Sequence, residues 1–338
     1  MVDEDGVDAH GSRRLRVLRA RAPAAALLAA LAVAGTAIAL ATAGGAPPPT
    51  ASVAPGGRNL VSEPAAEAGP AFSTSVAGGV AIDPSDFAPN ACVAFGPTAG
   101  NAHHTVFLDA GHGGIDPGGR GLTEQGRVIY EARENLTIEL ETMNLLRARG
   151  FRVVVSRTAD SDVVDPTAAD LTGGALSVTG ARAAVAARDV CANRARATIL
   201  VGIYLDAGMS PLDAGCITAY DPARTFADKS RRLASFLQSD VLAKMNAQGW
   251  KIPDDGVQPD TTLGGIPLTT SASSYPHLLL LGPADPGWFT TPSQMPGALI
   301  EPLFISDPFE GSIATSQPGH RAIAGGIARA VERYFGVP

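Results

Sequence analysis

From Thr105 onward the chain alternates short apolar runs with longer amphipathic ones, and that alternation is the strongest constraint on its fold. Strand-like blocks separated by helix-like blocks predict an α/β domain with a largely parallel sheet, because parallel neighbours need a long crossover between them. Val106–Ala110 and Phe151–Arg157 predict strands. Between them Glu131–Arg149 predicts a helix, with Leu136, Leu140, Met143 and Leu146 three or four apart on one face and Gly150 closing it. Thr198–Ala207 is a near-continuous apolar run of the kind buried on both faces of a sheet. Further strands are expected at Gly215–Tyr220, His277–Leu281 and Ala298–Ile305, and helices at Arg182–Arg196, Phe226–Met245 and His320–Tyr334. Thr158–Val178 reads as a long loop whose acids are solvated, and Gly249–Ser274 as an irregular polar stretch.

Upstream, the texture is different. Arg13, Arg14, Arg16, Arg19 and Arg21 precede an uncharged run from Ala22 to Ala46, a positive flank followed by an export segment. Residues 1–46 therefore read as a cytoplasmic stub with a signal or anchor. Ala41-Thr42-Ala43 offers a small-residue cleavage site, while the run is also close to the ~20 residues needed to span a bilayer, so N-terminal membrane insertion is the alternative. The expected location is outside the cytoplasm, extracellular or cell-wall associated. Residues 47–104 are rich in Pro, Gly and Ala without sustained period and read as a tether, with an ordered piece near Phe87–Phe95 as an option because Cys92 sits there. Cys92, Cys191 and Cys216 allow at most one bridge. A net charge of -7 argues against a polyanion-binding surface, so no nucleic-acid partner is expected.

Two positions stand out chemically. Val106–Gly119 is an apolar run ending in a glycine-rich turn that carries His112, a usual way to present a side chain at the carboxyl edge of a sheet. Glu301 lies in the apolar run Gly297–Ser306, where a lone carboxylate is expensive to bury without a partner; the alternative is an edge strand that turns Glu301 to water, which Pro302 would tolerate. Glu131 starts a predicted helix, where the dipole favours an acid in any case.

In order, Val106–Gly119, Glu131–Leu136, Gly150–Arg157, Arg188 with Ala192-Asn193, Ile203–Ala207 and Leu299–Glu301 resemble the blocks of the zinc-dependent N-acetylmuramoyl-L-alanine amidases of the amidase-3 type. The resemblance covers about Thr105 to Phe335 and implies a single α/β domain over residues 105–338, a twisted, mostly parallel sheet flanked by helices on both faces. It implies Zn2+ held by His112 and Glu131, Glu301 as catalytic acid/base, and a cell-wall hydrolase that cuts the amide between N-acetylmuramic acid and L-alanine in peptidoglycan or muropeptides. One block departs from the pattern. Where the family carries a third zinc histidine, this chain has Tyr204 in Gly202-Ile-Tyr-Leu-Asp-Ala207. Three outcomes are open: His277 completes the site, Tyr204 binds as phenolate, or the domain is a catalytically degenerate peptidoglycan-binding or regulatory module.

Overall fold

The computed structural model describes residues 78–263 and 275–337. Their elements in chain order are β1 (Val80–Ala81), β2 (Ala91–Phe95), β3 (Thr105–Ala110), β4 (Arg120–Leu122), β5 (Val128–Tyr130), α1 (Glu131–Ala148), β6 (Arg152–Arg157), β7 (Leu171–Thr172), β8 (Ala175–Leu176), α2 (Val178–Arg194), β9 (Ile199–Ile203), β10 (Cys216–Tyr220), α3 (Ala227–Asn246), β11 (Asp254–Pro259), β12 (Gly297–Glu301), α4 (Pro308–Ala314) and α5 (Gln317–Phe335). Eight strands form one sheet in the order β1-β2-β6-β3-β9-β12-β10-β11. The four strands β6, β3, β9 and β12 run parallel, so their carboxyl ends lie along one edge. β10 runs antiparallel to β12, and β11 is parallel to β10.

Strand alternation sorts the core into two layers. Val106 and Leu108 of β3, with Ile199, Val201 and Ile203 of β9, face α1, α3 and α5, where Ile138, Leu237, Val241 and Ile327 are fully buried. Phe107, Val154, Leu200 and Leu299 face the other way, onto α2 and the segment carrying Leu278–Leu281 and Phe289. Both faces of the central strands are therefore dry, which explains why β9 reads as a continuous apolar run instead of an alternating one.

Several expectations need correction. The tether does not extend to residue 104, and the ordered piece allowed near Phe87–Phe95 is present: Ala91–Phe95 is strand β2, antiparallel to β6 inside the sheet, and Cys92 is bonded to Cys191 of α2. His277–Leu281 is not a strand but a turn, in which Leu281 N–H and Gly282 N–H both donate to the Leu278 carbonyl. Four consecutive leucines were misleading there because all four are buried under the sheet face, where no alternation is required. Asp254–Pro259, inside the stretch expected to be irregular, is strand β11; its polar sequence suits an edge position, half exposed. Helix α4, unforeseen, begins at Asp307, whose carboxylate accepts from Phe309 and Glu310 N–H with Pro308 in the first turn. The loop expected at Thr158–Val178 contains the small β7–β8 hairpin. The export segment and residues 47–77 lie outside the described residues, and among the described ones no helix is long and apolar enough to cross a membrane.

Candidate functional site

The carboxyl ends of β3, β9 and β12 converge on one set of side chains. His112 follows β3 in a turn where it adopts φ 62°, closed by reciprocal hydrogen bonds between Gly113 and Asp116. Its Nδ1 lies 2.8 Å from Asp116 Oδ2 and its Nε2 lies 3.1 Å from Glu131 Oε2. Gly118 closes over this pair: a Cβ there would stand 2.7 Å from His112 Cδ2 and 2.8 Å from Glu131 Oε2. Burial disfavours a charged ring, yet the Glu131 and Asp116 carboxylates overcome it and raise His112 to about 10.

Glu131 is the first residue of α1, with its carboxylate among oriented donors. Gly119 N–H donates at 2.8 Å, Leu205 N–H at 3.1 Å and Asn135 Nδ2 at 3.1 Å. Burial pushes its carboxyl up, but His112 and these donors outweigh it and hold the group below its usual range. Asp206, just past β9, is fixed by a bridge to the segment after β12, with Asp206 N–H on the Leu303 carbonyl and Ile305 N–H on the Asp206 carbonyl. Burial and Glu131 raise it to about 6.

Glu301 ends β12, which lies between β9 and β10 and is not an edge strand. Only 8% of the residue is exposed, so the reading in which it points to water is excluded. Burial, then Asp206 with which it shares a hydrogen bond, then Glu131, push its carboxyl well above the usual range. Glu301 and Asp206 thus form a buried pair in which Glu301 keeps the proton.

Tyr204 is buried behind His112, ring edge to face at 5.6 Å between centroids. Its hydroxyl donates to Asp109 Oδ2 at 3.0 Å, and Asp109 is in turn paired with Arg188 Nε at 2.8 Å. Arg188 also donates to the His112 carbonyl at 2.6 Å. Burial and Asp109 push the phenol well above 10, so it is a neutral donor with its proton committed, the wrong form for a metal ligand. Burial likewise raises Glu139 to about 8, although its Oε1 accepts from Ala110 N–H and Ser156.

His277 is not part of this constellation. It lies at the opposite edge of the sheet, beside Asp221 after β10 and Asp260 after β11. The expectation that it completes the His112 site is therefore corrected: β10 and β11 run against β12, so the residues that follow them, and His277 with them, lie at the amino end of β12. Among the described residues no third His, Cys, Asp or Glu joins His112 and Glu131 in a ligand cluster. Two donors fall one short of the three protein ligands of hydrolytic zinc sites, so the residues present do not fit a complete centre of that kind.

Sequence reasoning missed Asp116, Asp206 and Asp109. Asp116 had a signal, four residues from His112 in a glycine turn; the other two become notable only through contacts 95 residues away for Asp109 and across strands for Asp206. Alongside the site runs a groove lined by Arg120, Leu122, Gly208, Met209, Pro211 and Ser306.

The family model described as N-acetylmuramoyl-L-alanine amidase matches residues 106–333. A curated relative, N-acetylmuramoyl-L-alanine amidase AmiC of Neisseria meningitidis, is 28% identical over 245 residues, 68% of this chain. The match spans only 52% of that protein's length. The uncharacterized protein YqiI of Bacillus subtilis is 23% identical over 231 residues, 68% of this chain and 84% of that one. The CwlD amidase of Clostridioides difficile, solved in complex with the GerS lipoprotein, superposes with a TM-score of 0.52 at 22% identity, over 70% of this chain and 100% of that one, a likeness of fold.

Proposed function

Because the chain belongs to the amidase-3 family of N-acetylmuramoyl-L-alanine amidases, we propose that it is an exported cell-wall hydrolase acting on the amide between N-acetylmuramic acid and the L-alanine of the stem peptide. The observation that carries this reading is the buried Glu301–Asp206 pair beside His112 and Glu131, at the edge where the parallel strands end. Two carboxylates with separated proton affinities can act as acid and base in one turnover. Asp206 accepts a proton from water as the oxygen adds to the carbonyl carbon. Glu301 gives its proton to the nitrogen as the carbon–nitrogen bond breaks. The proton on Asp206 then returns to Glu301, which resets the pair. His112 and Glu131 supply two of the three donors that a zinc ion takes in hydrolytic enzymes, and the proton steps are assigned to the carboxylates alone. The groove beside Gly208 and Ser306, with Leu122 and Met209 on its rim, suits a glycan-linked peptide.

A second reading, a peptidoglycan-binding module without turnover, is favoured by the Tyr204 hydroxyl bonded to Asp109 in place of a third ligand. One experiment separates them. The full chain is incubated with purified peptidoglycan, and stem peptides with a free N-terminal L-alanine are measured by mass spectrometry. Release that falls by about 10²-fold or more in Glu301→Gln supports the hydrolase. Release unaffected by Glu301→Gln refutes the proton roles. Co-sedimentation without release establishes the binding module, and Tyr204→His then tests whether a third donor restores turnover.

A further inference from the structure

A second cluster of donors lies at the other edge of the sheet. Tyr220 of β10 is in register with Pro259 of β11, so the residues that follow, Asp221 and Asp260, leave parallel strands side by side. His277, from the connection between β11 and β12, reaches both: Nδ1 is 3.0 Å from Asp221 Oδ2 and 3.3 Å from Asp260 Oδ2. One donor atom from each of the three residues lies within 4.8 Å of the other two. The backbone presets the carboxylates, with Ala223 N–H on Asp221 Oδ1 and Leu278 N–H on Asp260 Oδ2. Asp221 is 1% exposed and Asp260 is fully buried.

His277 Nδ1 faces both carboxylates at ion-pair distance. Asp221 Oδ2, Asp260 Oδ1 and His277 Nδ1 have no hydrogen-bond partner among the described residues. Two carboxylates buried together are costly unless a cation or donors compensate them. Among the described residues the cation in contact with both is His277 itself when protonated, one charge against two acids; Arg224, three residues beyond Asp221, donates to the carbonyls of Leu281, Gly282 and Ser293 instead. Ligand atoms spaced at 3.0 and 3.3 Å match the spacing of neighbouring ligands around one ion, about 3.0–3.5 Å apart when each ligand is ~2.0–2.2 Å from it.

We propose that Asp221, Asp260 and His277 form a binding site for a divalent transition-metal ion of the zinc or manganese kind. An imidazole with two carboxylates selects against calcium, which collects six to eight oxygens, and against magnesium, which seldom takes nitrogen. The ion neutralises the two buried acids and pins the 275–282 turn to the ends of β10 and β11. Water completes its shell on the side where the His277 side chain is 16% exposed. Asp221 is four positions beyond Ile217, which pairs with Glu301, so this site stands on the order of 13 Å along the strands from the carboxylate pair.

The test uses the full chain carrying His112→Ala, which removes the other candidate ligand pair. The protein is stripped with chelator, dialysed against zinc or manganese, and analysed for bound metal and for its unfolding temperature. The expected result is one ion per chain, with a rise in unfolding temperature, and at least tenfold weaker binding after addition of His277→Ala or Asp260→Asn. Asp260→Asn keeps an acceptor for Leu278 N–H, and circular dichroism of the stripped variants checks the fold. No retained metal, or metal retained equally after both substitutions, overturns the site.

Discussion

Reduction of the Cys92–Cys191 bond is predicted to remove a large part of the stability of this domain. The bond joins β2 to α2 across 99 residues of sequence. In the chain-entropy account, opening a loop of this length returns about 4.7 kcal/mol of conformational freedom to the unfolded chain. Whole domains are stable by about 5–15 kcal/mol, so the loss is roughly 30% of the total or more. It also bears on the site. Cys191 lies three residues, about one helical turn, after Arg188, which holds the His112 carbonyl and Asp109. β2 pairs with β6, whose Arg157 guanidinium donates to the carbonyls of Ala110, Gly111 and Ala132 under the His112 turn. Urea unfolding followed by the fluorescence of Trp250 and Trp288 should give a free energy about 4–5 kcal/mol lower in reductant, with a larger denaturant slope because the unfolded chain is more expanded. A Cys92→Ala, Cys191→Ala variant should behave like the reduced protein and be insensitive to reductant. Reduced and oxidised protein agreeing within about 1 kcal/mol would refute the reasoning, since the cross-link would then constrain nothing that unfolding releases.

Glu310 gives a stability difference with a defined pH window. Burial raises its carboxyl to about 7 although Phe304 and Gly215 N–H donate to it, so between about 4.5 and 7 the folded state holds a proton that the unfolded state has lost. Its contribution to stability therefore falls as pH rises through that window. Glu310→Gln, which keeps an acceptor for both donors, should gain on the wild type by on the order of 2 kcal/mol between pH 5 and pH 7.5 in parallel melts; a difference that stays constant with pH would contradict the assignment. Gly118→Ala should reduce peptidoglycan cleavage by about tenfold or more while lowering stability by only about 1–2 kcal/mol, because the new Cβ meets His112 and Glu131 at a position with φ 69°. Unaltered cleavage would mean that the His112–Glu131 geometry is not what turnover depends on.

Much of the fold was legible because period and burial agree locally. α1, α3, α5 and strands β3, β6, β9, β10 and β12 carry either a helical stripe or a run buried on both faces. β2 showed only as an option beside Cys92, because its composition is shared with the tether before it, and β11 was hidden by polar residues that an edge strand tolerates. The His112 turn, Glu131 and Glu301 were visible through motif and position. Asp206 was not, because nothing in Leu205-Asp206-Ala207 distinguishes an acid that shares a proton across strands from one in solvent. His277 shows the opposite error: an apolar run beside a histidine resembled a strand end, and only the antiparallel direction of β10 and β11 against β12 assigns it to the far edge.

Gly111 has no left-handed conformation to explain it; the space where its Cβ would project is filled by the Tyr204 ring. The two positions, 93 apart in sequence, are therefore one steric unit. A substitution scan made one residue at a time would score Gly111 as intolerant and attribute this to the turn. Libraries aimed at a third ligand at position 204 should randomise both positions together, since a smaller ring at 204 frees the volume that a side chain at 111 needs.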